Sequence, residues 1–247
     1  LQYAIWGSWL ISLGAYLGGG LDFTGLQIGS FFATMGVASL FMPAVMGIIA
    51  DRWIPAQKLL GICHLVSGGF LIAAASQTAY GPLYSCMLLS VMFYMPTIAL
   101  SNSVAYNALD LARLDTVKHF PPIRVWGTVG FIAAMWFVDL THIGGVQIKL
   151  TEWQLYVSAV LSFLLAVYSF SLPGCPVDRT VKARSWVDTL GLRAFTLFKE
   201  KRMAIFFVFS MLLGAALQIT NAFGDSYIQS FGSMPQYADS AIVKHSV

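Results

Sequence analysis

Long apolar segments alternate with short polar segments along the whole chain. Seven of the apolar segments approach the roughly 20 residues that a helix needs to cross a bilayer core. They cover residues 2–20, 28–50, 59–77, 83–107, 120–139, 153–172 and 203–223. An eighth begins at Ala241 and is cut off where the sequence ends. The pattern predicts an all-α integral membrane protein with seven spans and the start of an eighth.

Composition supports a membrane protein. Of the 247 residues, 57% are hydrophobic and 10% are charged, and the mean hydropathy is +0.73. A soluble domain carries about 25% charged residues. The pI near 8.8 does not indicate nucleic-acid binding, because the basic residues fall in particular loops. Cys63, Cys86 and Cys175 are an odd number at unrelated spacings, which excludes a disulfide framework and a metal site.

Basic residues are distributed unevenly between the loops. Eleven of the fourteen Lys and Arg residues follow spans 2, 4 and 6: Arg52, Lys58, Arg113, Lys118, Arg179, Lys182, Arg184, Arg193, Lys199, Lys201 and Arg202. Only Lys149 and Lys244 fall on the other side, and Arg124 is the fourteenth. By the positive-inside rule the loops after even-numbered spans face the cytoplasm. We therefore expect a cytoplasmic N-terminus.

The longest and most basic loop divides the chain. We expect an N-terminal six-helix bundle with a truncated first helix over residues 1–172, a cytoplasmic linker over 173–202, and the start of a second, truncated bundle over 203–247. Within the linker, SWVDTLGLRAFTLFKEKR predicts an amphipathic helix on the inner membrane surface, capped by Asp188. This layout is typical of two-bundle transporters. A six-helix bundle followed by an unrelated domain would give the same topology.

The loop after span 2 carries the motif GIIADRW, residues 47–53. Gly47 permits close helix approach, and Asp51 and Arg52 can pair with neighbouring helix ends. The motif resembles the Gly-x-x-x-Asp-Arg loop signature of the major facilitator superfamily, in which the Asp helps to latch the closed inner gate. The other interpretation is a loop with one acid and one base at the membrane surface.

The stretch FPPIRVWGTVGF, residues 120–131, places an arginine in an apolar span. Pro121 and Pro122 fit the first turn of a helix, which would put Arg124 about one turn inside it. The guanidinium then has two alternatives. It extends to the cytoplasmic headgroups, or it faces the bundle interior, where intramembrane charges usually lie.

Spacing favours the interior. Arg124, Thr128 and Phe131 are separated as i, i+4 and i+7, so one helix face carries a cation, a hydroxyl and an aromatic ring. Gly127 and Gly130 thin the helix beside that face, so that another helix or a ligand can approach. A fork-shaped donor, a small donor-acceptor and a stacking ring together form a candidate substrate half-site.

Span 7 carries a second polar face. Gln218 and Asn221 are i, i+3 neighbours on an otherwise apolar helix. Amides without partners in an apolar medium cost free energy, so both face something polar. Interhelical hydrogen bonds and ligand contact both satisfy this requirement. Amide pairs suit the mixed donor-acceptor edge of a nucleobase or the hydroxyls of a ribose.

Longer strings carry a family resemblance. WGSWLISLGAYL, FMPAVMGIIADRW, ICHLVSGG, FPPIRVWGTVGFIAAMW and KRMAIFFVFSMLLGAALQITNAFG resemble the bacterial nucleoside:proton symporters of the major facilitator superfamily, from about residue 6 to the end. The resemblance implies twelve helices in two six-helix bundles and nucleoside uptake driven by protons, with no cofactor. It also implies a monomer in the bacterial inner membrane. The site between the bundles would then use Arg124, Thr128, Phe131, Gln218 and Asn221.

One rival substrate and one gap remain. The pattern Arg-x-x-Gly-x-x-Gly-aromatic also resembles helix 5 of the lactose permease family, so a sugar or oligosaccharide porter is the alternative. An enzyme is not expected, because the spans contain no nucleophile–base pair or metal cluster.

His64 is a candidate proton carrier or a packed, hydrogen-bonded core residue. The resemblance implies coupling carboxylates in the second bundle, beyond Val247. Our hypothesis is that one of them pairs with Arg124 when no substrate is bound.

Four further residues have two interpretations each. Trp6 and Trp9, near the start of span 1, are cavity walls or ordinary packing. Asn102 and Tyr106 in span 4 line the cavity or join helices.

The sequence starts in apolar residues without an initiator Met, so we expect truncation at both ends and no transport by the fragment alone.

Overall fold

The computed structural model describes residues 1–177 and 197–231. Its helices are α1 (Gln2–Gly7), α2 (Leu13–Ala15), α3 (Gly25–Arg52), α4 (Ala56–Ala75), α5 (Tyr80–Leu111), α6 (Thr116–Leu140), α7 (Trp153–Ser169) and α8 (Lys201–Ser230). A π-helical turn, Tyr16–Gly20, follows α2. A small hairpin of β1 (His142–Ile143) and β2 (Val146–Gln147) and a 3-10 turn, Ile148–Leu150, connect α6 to α7.

Most predicted spans correspond to single helices. Five described helices are long and apolar enough to cross a membrane: α3, α4, α5, α6 and the part of α8 from Lys201 to Gly224. Helix α7 is also apolar but has 17 residues, three fewer than the predicted sixth span. The predicted span from Ala241 and most of the predicted linker helix, including Asp188, lie outside the described residues.

The first span is not the single helix that the sequence predicts. It consists of α1, a turn, α2 and the π-helical turn. At its far end the π-helical turn contains Gly18, Gly19 and Gly20, and glycine has a low helix propensity. In its middle the Ser12 hydroxyl donates to Gln154 Oε1 of α7 over 2.8 Å. The irregular span is therefore held by side-chain bonds to its neighbours.

Helix α6 starts earlier than the prolines predict. Asp115 caps it by accepting a hydrogen bond from the Val117 backbone N–H over 2.9 Å, and the helix begins at Thr116. Pro121 and Pro122 lie inside the helix rather than in its first turn. The carboxylate cap decides the start, and Arg124 consequently lies about 12 Å from it, at 1.5 Å per residue.

The core joins the first span to helices α3, α5 and α7. Its fully buried side chains include Ile5, Leu10, Leu17, Leu83 and Leu155. Helix α4 packs against α5 and α7, and α6 packs chiefly against α1. Most of the described side chains of α8 are exposed, whereas Ala222 is buried. The packing leaves α1 between α6 on one side and the core on the other.

The connection between α6 and α7 is stabilised locally. Gly144 and Gly145 have φ angles of +61° and +85°, which a two-residue hairpin turn of this kind requires. Lys149 is 3% exposed and pairs with Asp139, with Nζ and Oδ1 2.9 Å apart. Lys149, one of the two basic residues on the predicted outer side, is therefore buried and forms a structural ion pair with Asp139.

Candidate functional site

Arg124 is held against the first span by an aromatic ring. Its guanidinium carbon lies 3.8 Å from the ring centroid of Tyr3 in α1, within the range of a cation–π interaction. Gly127 makes this stack feasible. A Cβ there would lie 2.5 Å from Tyr3 Cδ2 and 3.1 Å from Arg124 Nη1.

The donors of Arg124 remain available for a ligand. The side chain is half-buried. Within residues 1–177 and 197–231, no ion pair or hydrogen bond engages its guanidinium. Guanidinium presents five N–H donors in a planar fork, and stacking on Tyr3 restricts the plane of that fork. This arrangement favours the interior interpretation of Arg124 over extension to the headgroups.

The rest of the predicted face on α6 is partly covered. Phe131 is half-buried and packs against the core, whereas Thr128 is exposed. Gly7 of α1 lies directly against the backbone of Phe131, and a Cβ at Gly130 would lie 3.8 Å from that of Ala4. The predicted approach of another helix along the glycines of α6 is therefore present, and the helix that approaches is α1.

One amide of the predicted polar face on α8 lines a cavity. Gln218 lines a cavity of about 900 Å³ between α8 and helices α1, α3 and α5, and Asn221 is not among the lining residues. Beside it the rings of Phe32 in α3 and Phe223 in α8 lie 6.2 Å apart. Trp6 of α1 lines the same cavity. The structure thus assigns Trp6, one of the two tryptophans left open by the sequence, to a cavity wall and places Trp9 in the buried core.

Helix α1 borders both predicted half-sites. In the described part of the chain, no hydrogen bond, ring contact or ion pair joins Arg124, Thr128 or Phe131 to Gln218 or Asn221. Tyr3 contacts Arg124, and Trp6 lines the cavity with Gln218. These two aromatic residues are three positions apart and share one helix face. Sequence reasoning missed Tyr3, although its i, i+3 spacing from Trp6 on span 1 was the available signal.

A buried polar network holds α1 in place. Gln2 donates through Nε2 to Thr97 Oγ1 over 2.7 Å, and its Oε1 lies 2.8 Å from His64 Nε2. The Tyr94 hydroxyl donates to the Gln2 carbonyl over 2.7 Å. His64 Nδ1 lies 3.2 Å from the hydroxyl of Ser162 in α7. His64 is completely buried with both ring nitrogens bonded, which favours the packed core residue of the two interpretations.

The predicted gate residues lie at the end of α3. The sequence predicts that Gly47 permits close approach of another helix. A Cβ at Gly47 would meet no atom within 4 Å, so no helix approaches closely there in the described structure. Asp51 is exposed and Arg52 is half-buried, and neither forms an ion pair within the described ranges. Their gating role stays a prediction.

Tyr106 serves helix packing. Its ring centroid lies 4.4 Å from that of Phe120 in α6, which favours the interhelical alternative for this residue. Asn102, four residues earlier on α5, is half-buried.

Comparison with known families identifies the protein class. The sequence model described as "Nucleoside H+ symporter" matches residues 1–247. The chain belongs to the nucleoside H+ symporter family. The family predicted from the sequence is thereby confirmed.

Two relatives are about half identical to the chain over the segment that they share with it. It is 50% identical over 245 residues to the xanthosine permease of Escherichia coli (strain K12), covering 99% of this chain and 57% of that protein. It is 46% identical over 246 residues to the nucleoside permease NupG of the same organism, covering 100% of this chain and 58% of NupG. The chain therefore spans somewhat more than half the length of these relatives.

Crystal structures of NupG, a nucleoside transporter, match the fold. A mutant form superposes with a TM-score of 0.86 at 46% identity, covering 99% of this chain and 60% of that one. A second NupG structure gives a TM-score of 0.82 over 99% of this chain and 59% of the other. The predicted all-α membrane fold is therefore confirmed. Relatives in this family are permeases, in agreement with the prediction of a transporter rather than an enzyme.

Proposed function

We propose that this symporter-family protein takes up nucleosides across the bacterial inner membrane together with protons, by alternating access between two helix bundles. The observation that carries the proposal is the Arg124 guanidinium, which is stacked on Tyr3 and has no partner in the described residues. A preorganised fork donor whose N–H groups are free in the described residues suits the hydroxyls and carbonyl oxygens of a nucleoside. Membership of the nucleoside H+ symporter family supports the same substrate and the same coupling ion.

The binding residues are assigned on the same basis. Arg124, Thr128 and Phe131 would contact the nucleoside from α6. Gln218 and Asn221 would contact it from α8, across the face of α1 that carries Tyr3 and Trp6. Because α1 borders both groups, through Tyr3 and Trp6, the assignment requires α1 to form part of the binding surface.

Organisation and sidedness belong to the proposal. Residues 1–172 would form the first bundle, 173–202 a cytoplasmic linker and 203–247 the start of the second bundle, in a monomer with a cytoplasmic N-terminus. The positive-inside rule supports this orientation, since the basic residues concentrate after spans 2, 4 and 6. Gly47, Asp51 and Arg52 would then lie at the inner gate.

Uptake of labelled uridine tests the function. The full-length protein is expressed in cells that lack their own nucleoside carriers, and uptake is measured with and without a protonophore. We expect uptake that collapses with the protonophore and is inhibited by other nucleosides but not by free sugars. An empty vector is the control.

A sugar or oligosaccharide porter would give the opposite result in this uptake experiment. If the protein is present in the membrane but uridine is not taken up, and a labelled sugar or oligosaccharide is, the porter belongs to the sugar alternative. Uptake of uridine that is unaffected by the protonophore would contradict proton coupling while leaving the substrate assignment intact.

A substitution at His64 tests whether this residue carries the coupling proton. Since His64 is fully buried and both its ring nitrogens are bonded, we expect His64→Gln, which still donates and accepts, to retain protonophore-sensitive uptake. The measurement is initial uptake rate against external pH. His142→Gln, in the exposed hairpin, is the matched control. Uptake that no longer responds to the proton gradient in His64→Gln alone would make His64 the carrier.

A further inference from the structure

The cavity between α1, α3, α5 and α8 has the size of a small-molecule site. Its volume is about 900 Å³, within the roughly 300–1,000 Å³ typical of such sites. Apolar side chains form most of its wall, among them Phe32, Met35, Met95, Met211 and Phe223. Aromatic and thioether groups pack favourably against flat rings. This wall suits a heteroaromatic base better than a sugar ring.

Two residues of the wall carry a buried hydrogen-bond donor that has no partner in the described part of the chain. The indole nitrogen of Trp6 and the amide nitrogen of Gln218 are buried, and no acceptor meets either atom in the described part of the chain. Both residues line the cavity. A buried donor without an acceptor is destabilising, and an indole N–H can only donate. An acceptor on a molecule that enters between the side chains of this wall would satisfy each of them.

The position of Trp6 is fixed from two sides. Its ring lies 6.1 Å from that of Tyr94, centroid to centroid, and the Tyr94 hydroxyl donates to the backbone of Gln2 in the same helix. The next residue, Gly7, packs directly on the backbone of Phe131. Helix α1 therefore cannot rotate freely to redirect the indole. A donor held in place before a ligand arrives needs little ordering when it binds.

We propose that Trp6 is a substrate-contact residue, whose indole N–H donates to an acceptor atom of the nucleoside while the Gln218 amide donates to another. The acceptors available on a nucleoside are the ribose hydroxyl oxygens and the carbonyl oxygens or ring nitrogens of the base. This inference rests on the proposed function. It adds a specificity-determining donor from the first span, which the predicted residues on α6 and α8 do not include.

Trp9 provides a matched control on the same span. It is 3% exposed, belongs to the buried core and is not among the residues that line the cavity. Trp6→Phe and Trp9→Phe remove the same indole edge, one from the cavity wall and the other from the core. A general packing defect would affect both variants, whereas loss of a ligand contact would affect only Trp6→Phe.

The experiment measures uridine uptake kinetics by the full-length wild type and both variants, normalised to the amount of protein in the membrane. We expect Trp6→Phe to raise KM about three- to tenfold with little change in maximal rate, as loss of one hydrogen bond predicts, and Trp9→Phe to leave KM unchanged. Uridine analogues that lack the 2′-hydroxyl, the 3′-hydroxyl, the 5′-hydroxyl or one base carbonyl are then compared. For the analogue without the acceptor of Trp6, wild type and Trp6→Phe should have equal KM values.

Other outcomes are distinguishable. An unchanged KM in Trp6→Phe, or the same KM ratio between wild type and variant for every analogue, would overturn the proposal and assign the indole to water. If Trp6→Phe does not reach the membrane, Trp6→Tyr replaces it, because its hydroxyl lies on the ring axis rather than the ring edge; the same rise in KM is expected. Failure of the wild type to take up uridine would instead contradict the proposed function itself.

Discussion

Arg124→Gln is expected to reduce uridine uptake by about 10- to 100-fold, because hydrogen bonds from a charged donor contribute roughly 1.5–3 kcal/mol. Arg124→Lys should lose most of the same activity. Lysine keeps the charge but not the planar fork that lies 3.8 Å from the Tyr3 ring centroid. The measurement is uptake at subsaturating uridine, together with its dependence on external pH.

Lys118→Gln is the control for this prediction. It removes a positive charge from the exposed start of the same helix, so loss of charge alone is tested separately from loss of the fork. If both Arg124 variants retained wild-type nucleoside affinity and pH dependence, Arg124 would not be a binding residue. Its predicted alternation between substrate and a carboxylate would fail with it.

Gly7→Ala is expected to lower the stability of the purified protein by about 1–3 kcal/mol, the usual cost of an added methyl group in a tightly packed interface. A Cβ at Gly7 would overlap the backbone carbonyl of Phe131, which cannot move as a side chain can. Relief requires α1 to shift away from α6. That shift would separate Tyr3 from Arg124, so we expect uridine affinity to fall along with the melting temperature.

The matched control is Gly69→Ala in α4. A Cβ there would meet no atom within 4 Å, and alanine favours a helix over glycine. We expect Gly69→Ala to be neutral or slightly stabilising, with unchanged uptake. Equal melting temperatures for Gly7→Ala and wild-type protein would show that the contact between α1 and α6 tolerates a methyl group.

The sequence by itself determined the class of fold and the family. Apolar length alone located helices α3 to α8, since a bilayer needs a nearly fixed number of apolar residues per span. Helical periodicity placed Arg124, Thr128 and Phe131 on one face, because a period of 3.6 residues is independent of tertiary context. Gly127 indicated that a partner would approach that face, and the partner is α1.

Tertiary contacts decided the rest. Which helix lies against Arg124 depends on packing between segments about 120 residues apart, and no local pattern encodes the stack on Tyr3. The irregular first span follows from bonds such as that between Ser12 and Gln154, which helix propensity does not register. Trp6 and Trp9 look equivalent in the sequence. Only the tertiary structure distinguishes them: Trp6 lines the cavity beside α8, whereas Trp9 lies in the core. Burial depends on which residues the other helices cover.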